Sequence, residues 1–229
     1  TALPTDALGT EYFIMSYYPL SGIYYPLLAE ASVVAIAPNT RVHVEFLLYR
    51  GITVTYNGVP YDENKPLVVD MVNAYDVLQI QAESSSDLSG TRIYSENNKR
   101  IAVFSGNILT DIAGTQQNYQ RDHIIEQMPP SYVWGRSYNI VPFPLANTGS
   151  QVKIGVVNAG TQIQYPGDTS VRPQNIAGNY ITKDITDSEY VHFTGNSTMF
   201  VAQFPKNTIT GSRTYPAMTL IPPEEQYLN

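Results

Sequence analysis

Cysteine is absent from this chain of 229 residues, and charged residues make up only 14% of it. Without cysteine there is no disulfide framework, no thiolate nucleophile and no cysteine zinc site. Basic runs are also missing, and 13 basic against 20 acidic residues argue against binding to nucleic acid or anionic lipid. No apolar run approaches the roughly 20 residues of a membrane span. The chain opens Thr1-Ala2-Leu3, which suggests a piece excised from a longer protein.

Hydrophobic residues are plentiful, at 43% of the chain, and include 18 tyrosines and 7 phenylalanines. Disordered chains are rich in charge and poor in aromatic residues, so this composition predicts a folded protein. A length of 229 residues suits one large all-β domain or two small ones, each with its own core.

Short segments rich in β-branched and aromatic residues fill the first hundred residues, and many alternate apolar with polar positions. They lie at 32–37, 40–49, 52–58, 65–71, 75–83, 91–95 and 100–106. Turn signals such as Asn57-Gly58 and Ser89-Gly90 separate several of them. This spacing predicts an all-β sandwich. The pattern is missing at 110–127 and in the last ten residues, and one or two helical turns are expected at 120–128.

The second half of the chain repeats the first. "LGTEYFIMSYYPL" matches "WGRSYNIVPFPL", "YDVLQIQA" matches "SEYVHFTG", and "RIAVFSGN" matches "TMFVAQFPKN". The matched pairs are Gly9 with Gly135, Tyr12 with Tyr138, Ile14 with Ile140, Ser32 with Ser150, Thr40 with Thr161 and Val42 with Ile163. We therefore expect two tandem antiparallel β-sandwich repeats, 1–108 and 135–229, joined by a short irregular or helical linker over 109–134.

The first repeat carries a surplus segment, "SGIYYPLLAE". Its two tyrosines follow closely on the two of the preceding "SYYPL", so four tyrosines lie close together. The candidate binding residues are Tyr17, Tyr18, Tyr24 and Tyr25. A tyrosine offers a large rigid contact area and a hydrogen-bonding tip at low entropic cost. The alternative is that this loop packs between the repeats or at a rim.

Three stretches resemble the N-terminal domain of the immunoglobulin G Fc-binding protein family: "LGTEYFI", "DLSGTRIYSENNKRIAVFSGN" (87–107) and "DHIIEQMPPSYVWGRSYNIVPF" (122–143). That domain occurs in large secreted mucin-like proteins and in related extracellular proteins of invertebrates. The resemblance implies a secreted, extracellular, non-catalytic module without a cofactor, often joined to von Willebrand factor type D or other adhesive domains. Its expected partners are an extracellular protein or glycan and other domains of the same parent chain.

The segment 107–121 departs from the family pattern, because relatives commonly carry cysteines there and "NILTDIAGTQQNYQR" has none. Either hydrogen bonds and packing hold this loop, or it is mobile. The Fc binding of the family name is not expected to carry over, because no motif here encodes it.

Asp122, His123 and Glu126 form a cluster that could be a metal site, a catalytic site or a structural element. Its position between the two repeats favours a structural linker. Asp122 would then cap a helical turn, and His123 or Glu126 would satisfy backbone groups that are otherwise buried unpaired.

The apolar face of that predicted turn consists of Ile124, Ile125 and Met128. Pro129-Pro130 would end the turn, since proline lacks a donor and disfavours helix in the residue before it. Trp134 would then open the second repeat.

Catalysis finds little support in the remaining motifs. His43 and His192 lie in strand patterns, which favours structural or solvent-facing roles, and no Gly-x-Ser-x-Gly elbow, phosphate loop or His-Glu-x-x-His is present. The acidic stretches 62–64 and 184–189 lack the spacing of a known calcium loop and are expected to be solvated turns. The sequon Asn196-Ser197-Thr198 is a candidate glycosylation site.

Three functional hypotheses follow. The first is an extracellular structural or adhesive protein-interaction module of a larger mucus, matrix or adhesive protein. The second is a lectin-like glycan-binding module that uses the tyrosine-rich loop for stacking. The third is a calcium-dependent adhesion domain. The first is favoured, because the loop lacks the Trp, Asn and Asp that lectin sites usually add.

Overall fold

The computed structural model describes residues 2–18, 28–48, 53–83, 86–112, 121–143, 149–165, 172–206 and 215–227. Over these ranges the chain is all-β, with antiparallel strand pairing and short 3-10 turns at Thr5–Ala7, Ser131–Val133 and Glu224–Gln226. No helix in this described part is long and apolar enough to cross a membrane. The strands are β1 Glu11–Phe13, β2 Ala29–Ala35, β3 Thr40–Glu45, β4 Val54–Tyr56, β5 Val59–Tyr61, β6 Leu67–Met71, β7 Val77–Gln81, β8 Arg92–Ser95, β9 Ile101–Thr110, β10 Asp122–Met128, β11 Gly135–Ile140, β12 Ser150–Val156, β13 Thr161–Gln164, β14 Arg172–Gln174, β15 Tyr180–Ile185, β16 Val191–Pro205 and β17 Thr219–Leu220.

The chain divides into two compact units. Unit 1 consists of Thr1–Thr110 and Ile125–Val133, and unit 2 consists of Asp111–Ile124 and Trp134–Asn229. Each predicted repeat thus falls within one unit, while the stretch predicted as a linker over 109–134 is divided between them.

Unit 1 contains two four-stranded sheets, in the orders β1-β8-β3-β6 and β10-β9-β2-β7, and the hairpin β4-β5. The alternation predicted from sequence is visible in β2, where every second side chain is buried. Alternate side chains of a strand point to opposite faces, so β2 turns one apolar row into the core. The packing of the two sheets as a sandwich stays a prediction.

Unit 2 is organised around β16, a strand of 15 residues. The sheet order is β14-β13-β16-β12-β15, and β11 and β17 also pair with β16. The first residues of β16 pair with β11 and β13, whereas its last residues pair with β12 and β17. Unit 1 uses two separate strands, β8 and β9, for the corresponding pairings.

The strand pairing gives the register of the repeat and corrects two of the predicted matches. Ala35 of β2 lies opposite Ile101, and Val156 of β12 lies opposite Met199. Counting back along both strands, Ser150 corresponds to Ala29, so its match with Ser32 is wrong by three residues. Where neighbouring residues are all apolar or small, an alignment shifted by a few positions matches as well as the correct one.

The match of "YDVLQIQA" with "SEYVHFTG" is wrong as well. The first segment contains β7, which pairs with β2. The second contains the start of β16, which pairs with β11 as β8 pairs with β1. By pairing, β7 corresponds to β15, whose sequence "YITKDI" shares little with it. By contrast, Thr40 and Thr161 occupy the same place, since each side chain donates to the backbone oxygen three residues before it, at 2.7 and 2.6 Å.

In each unit a buried tyrosine links two backbone segments that are far apart in sequence. The Tyr12 hydroxyl accepts from Gly9 N at 2.8 Å and donates to Ile101 O at 2.6 Å. Burial raises the pKa of Tyr12 to about 12, although the backbone hydrogen bond from Gly9 lowers it. The hydroxyl therefore keeps its proton at neutral pH and remains a donor.

Unit 2 contains the same arrangement. The Tyr138 hydroxyl accepts from Gly135 N at 3.0 Å and donates to Met199 O at 2.6 Å. Burial again raises the pKa of the tyrosine. The match of Tyr12 with Tyr138 is therefore repeated in the hydrogen bonds themselves.

A proline turn packs against the glycine in each unit. A Cβ on Gly9 would lie 2.6 Å from Pro130 Cβ, so the close approach leaves no room for a side chain. A Cβ on Gly135 would likewise collide with Pro223 and Glu225. Pro129-Pro130 and Pro222-Pro223 are thus a further element of the repeat, and the sequence comparison missed it.

The helical turn predicted for 120–128 is wrong, because residues Asp122–Met128 form strand β10 beside β9. Ile124 is buried and Ile125 is exposed, as a strand requires and a helical face does not. Backbone pairing with β9 overrides the weak local preference for helix. The segment 125–133 belongs to unit 1.

We predict that Tyr12→Phe and Tyr138→Phe each lower the free energy of unfolding by about 1–3 kcal/mol, because a buried N–H and a buried carbonyl lose their partner. Urea unfolding followed by circular dichroism measures this loss. Tyr190→Phe is the matched control, since Tyr190 is 76% exposed and should change stability by less than about 0.5 kcal/mol. Phenylalanine variants as stable as the parent would contradict the prediction.

Candidate functional site

A buried polar cluster holds the backbone just before the tyrosines Tyr17 and Tyr18. The Ser16 hydroxyl donates to Asp87 Oδ1 at 2.7 Å, and Ser89 N donates to the same oxygen at 2.8 Å. The Ser89 hydroxyl donates to Ser16 O at 2.9 Å. All three residues are buried. Because buried polar groups are costly unless they are bonded, this cluster fixes the backbone at Ser16.

The next two residues are held by the last residues of β9. The Asn107 amide accepts from Tyr17 N and donates to Tyr17 O, both at 2.7 Å, as a neighbouring strand would. The Thr110 hydroxyl donates to Tyr18 O at 3.0 Å. Asn107 and Thr110 are themselves buried. The backbone is therefore held at both Tyr17 and Tyr18.

The two tyrosines differ in exposure. Tyr17 is only 5% exposed, whereas Tyr18 is 40% exposed, and their rings meet edge to face at 6.1 Å between centroids. Tyr17 therefore packs within unit 1, whereas Tyr18 leaves part of its side chain exposed. Tyr24 and Tyr25 lie outside the described residues.

No sequence motif marked the polar side chains that hold this backbone. Asp87, Ser89 and Asn107 all lie in the stretch 87–107 that carries the family resemblance. Asp87 and Ser89 lie in the segment before β8, and Asn107 lies in β9. Their sequence positions do not separate them from the other polar residues of this stretch, because only the fold shows which polar side chains are buried with partners.

The outer face of the sheet β1-β8-β3-β6 carries a row of paired charges. Arg92 bonds to Glu11 and to Glu45, at 2.5 and 3.1 Å, and lies over the Tyr94 ring. Burial raises the pKa of Glu11, but hydrogen bonds from Ser131 and Arg92 outweigh it and leave the pKa below its ordinary value. These carboxylates are engaged within unit 1.

His43 lies in the same row. Its ring stacks on Tyr94 at 4.7 Å between centroids, and its Nε2 is 2.7 Å from Glu96. The structural role predicted for this strand histidine agrees with these contacts.

Ser137, His192 and Glu224 come together in unit 2, but not in the arrangement of a Ser-His-acid catalytic triad. Ser137 Oγ lies 2.9 Å from His192 Nε2, and Glu224 Oε2 bonds to Ser137 and lies 3.6 Å from the same Nε2. Such a triad needs the acid on the opposite ring nitrogen, where it orients the imidazole. The hydrogen bond from Ser137, followed by that from Asn139, lowers the pKa of Glu224.

The predicted linker residues occupy different environments. Asp122 and His123 are exposed, and Glu126 is half-buried. Asp122 Oδ1 accepts from His123 N at 2.8 Å, a local bond at the start of a strand rather than a helix cap. Trp134 is buried against Phe200, with its ring nitrogen without an acceptor among the described residues.

The carboxylates of the two acidic stretches bond to a backbone N–H or pair with lysines. Asp62 Oδ1 accepts from Asn64 N at 2.8 Å, Asp184 pairs with Lys206 at 3.0 Å, and Glu189 lies 3.6 Å from Lys183. In the part of the chain that the structure describes, no three histidine or acidic side chains come together as metal ligands would.

Asn196 is exposed in β16, between Gly195, which pairs with β13, and Met199, where the pairing with β12 begins. Its side-chain oxygen accepts from Gln162 N at 2.8 Å, which leaves the amide nitrogen outside that bond. At the corresponding place in unit 1, between β8 and β9, lies the turn Asn97-Asn98, and both residues have a φ angle of 55°.

Comparison with known proteins places the chain in a family. The family model described as IgGFc binding protein matches residues 1–229. The chain belongs to the IgGFc-binding protein family. The human IgGFc-binding protein is 30% identical to it over 227 residues, which are 98% of this chain and 4% of that protein. The chain thus spans a small fraction of this relative's length, and no solved structure matches it.

We predict that Met128→Ala lowers the free energy of unfolding by about 2–5 kcal/mol, because it leaves a cavity under a buried strand. His123→Ala, five positions earlier in the same strand, replaces an exposed side chain and should change stability by less than about 0.5 kcal/mol. Thermal and urea unfolding measure both. A larger loss in His123→Ala than in Met128→Ala would show that the Asp-His-x-x-Glu cluster is the stabilising element.

Proposed function

We propose that this chain is a non-catalytic, extracellular protein-interaction module of a larger structural or adhesive protein in mucus or matrix. Membership of the IgGFc-binding protein family over residues 1–229 supports this class, because the family is described by binding rather than by a reaction. The small share of the human relative that the chain covers supports a module within a larger protein.

The proposed contact surface is Tyr18 together with Tyr24 and Tyr25, with Tyr17 as its buried anchor. The observation that carries this proposal is the clamp on the backbone of Tyr17 and Tyr18 by Asn107 and Thr110. A surface whose base is already ordered loses less conformational entropy on binding, so more of the contact energy appears as affinity.

The clamp also weakens the lectin-like alternative. A sugar site needs polar side chains beside the aromatic ring that are free to bond hydroxyl groups. Asn107 uses both ends of its amide on the backbone of Tyr17, and the Thr110 hydroxyl donates to Tyr18 O. The polar side chains that hold this backbone are thus committed to structure.

We predict that the chain binds immobilised mucin, a mucus glycoprotein, and that replacing Tyr18, Tyr24 and Tyr25 together by alanine weakens the affinity at least about tenfold, as loss of about 1.4 kcal/mol would. Biolayer interferometry on native and on enzymatically deglycosylated mucin measures it. Tyr190→Ala removes an exposed tyrosine ring elsewhere in the chain and should leave the affinity unchanged.

Two results would contradict this proposal. Binding to native mucin that disappears after deglycosylation would favour the glycan-binding function. Binding that needs calcium and is lost with a chelator would favour the calcium-dependent adhesion domain.

Asn196 is the proposed glycosylation site of this extracellular module. We predict that the chain, secreted from mammalian cells behind a signal peptide, carries one N-linked glycan that a peptide amidase removes. Mass spectrometry should show its loss in Asn196→Gln and in Thr198→Ala, since the second variant keeps the asparagine but breaks the acceptor motif. An unmodified secreted chain would contradict this assignment.

A further inference from the structure

The turn that leads into β7 in unit 1 and the turn that leads into β15 in unit 2 share their backbone hydrogen bonds. Tyr75 N donates to Ala35 O at 2.7 Å, and Gly178 N donates to Val156 O at 2.7 Å. Ala35 and Val156 are the residues that the strand register already matches. Tyr75 and Gly178 therefore occupy the same place in the two units.

The next residue of each turn confirms this equivalence. Ala35 N donates to Asp76 O at 3.1 Å, and Val156 N donates to Asn179 O at 3.0 Å. Both turns are thus the same structure with different sequences, "NAYD" and "IAGN". The two turns can therefore be compared residue by residue.

The position calls for a left-handed backbone, which glycine adopts without cost. The φ angle is 82° at Gly178 and 68° at Tyr75. A bulky residue is strained there, because its Cβ crowds the following carbonyl. The other non-glycine residues of the described chain with positive φ are all asparagine, which tolerates this region. Tyrosine is the exception.

Packing does not account for the tyrosine. Its side chain is 73% exposed, and its hydroxyl bonds to no described residue. Val72 and Val77, on either side of the turn, are also exposed. The backbone strain at Tyr75 is therefore not offset by side-chain contacts within the unit. Because strained residues cluster at binding sites, this strain points to a role in contact with another molecule.

We propose that Tyr75 is the central contact residue of a second binding surface, which receives a protein partner with an apolar pocket for the ring. This inference rests on the proposed protein-interaction function but assigns a site separate from the tyrosine-rich loop. Val72 and Val77 form the apolar flanks, and Asp76 and Lys99 supply charge at the edge.

The charged edge follows from two sets of contacts. Asp76 accepts from Asn73 N at 2.8 Å and forms no ion pair with a described residue. On the other side, Asn39 N donates to Val72 O, and Lys99 Nζ donates to Asn39 O at 2.7 Å. An exposed aromatic with apolar neighbours and a rim of mixed charge is the anatomy of a protein interface.

A glycan fits this surface poorly. Sugar rings stack on an aromatic face while their hydroxyl groups bond neighbouring polar side chains. The exposed apolar residues of this turn are Val72 and Val77, and the polar side chains of Asn73 and Asp76 bond to each other, with the Asp76 carboxylate also accepting from Asn73 N. The chemistry therefore favours a protein surface.

The first test separates a binding role from a structural one. Tyr75→Gly and Tyr75→Asn both suit a left-handed backbone, so the melting temperature should stay equal to that of the parent or rise. A fall in melting temperature in both variants would show that the tyrosine stabilises the unit and would overturn the proposal.

The second test uses a phage-displayed library of random peptides of twelve residues, selected on the parent chain and counter-selected on Tyr75→Gly. Enriched peptides should bind the parent at least tenfold more tightly than Tyr75→Gly and Tyr75→Asn, and bind Tyr190→Ala like the parent. Peptides that bind the parent and both Tyr75 variants alike would overturn this site and leave the proposed function standing.

Two further outcomes would count against the proposal. No enrichment on the parent would count against both this site and the protein-interaction function. A glycan array that responds to the parent and not to Tyr75→Gly would show that the occupant is a carbohydrate, and would overturn the assignment of a protein partner.

Discussion

The bond between a buried tyrosine hydroxyl and a distant backbone carbonyl is the constraint on which each unit depends. Tyr12 reaches Ile101 across 89 positions of sequence, and Tyr138 reaches Met199 across 61. The same hydroxyl accepts from Gly9 N, two residues before β1, or from Gly135 N, the first residue of β11. One side chain thus holds the start of β1 beside β9, and its counterpart holds the start of β11 beside β16. Proline turns then pack onto Gly9 and Gly135, where any side chain would collide.

Much of the fold could be predicted from the sequence, because a half-buried strand shows its alternation directly. The repeat was visible wherever a residue has a defined chemical role, as Gly9, Tyr12 and Thr40 do. It was misread where the residues are interchangeable, as with Ser32 and Ser150. The turn expected at 120–128 is a strand, since pairing with β9 decides its structure and local sequence does not report that pairing.

The candidate site was predictable only in part. Tyrosine enrichment marks the candidate segment, but the difference in exposure between Tyr17 and Tyr18 depends on which side of the backbone faces the core. Asn107 lies 90 positions from Tyr17, and no spacing rule connects residues so far apart. Three chemically suggestive residues, Ser137, His192 and Glu224, meet on one side of an imidazole, which is a hydrogen-bonding arrangement and not a catalytic one.

The two units keep one scheme of strand pairing and differ at its connections, and the difference at β16 has a consequence for local opening. In unit 1 the turn at 96–100 separates β8 from β9, so hydrogen bonds on either side of it can break independently. In unit 2 one strand of 15 residues carries both sets. Amide protons along β16 should therefore exchange with solvent as a single cooperative block, whereas those of β8 and β9 should exchange at separate rates.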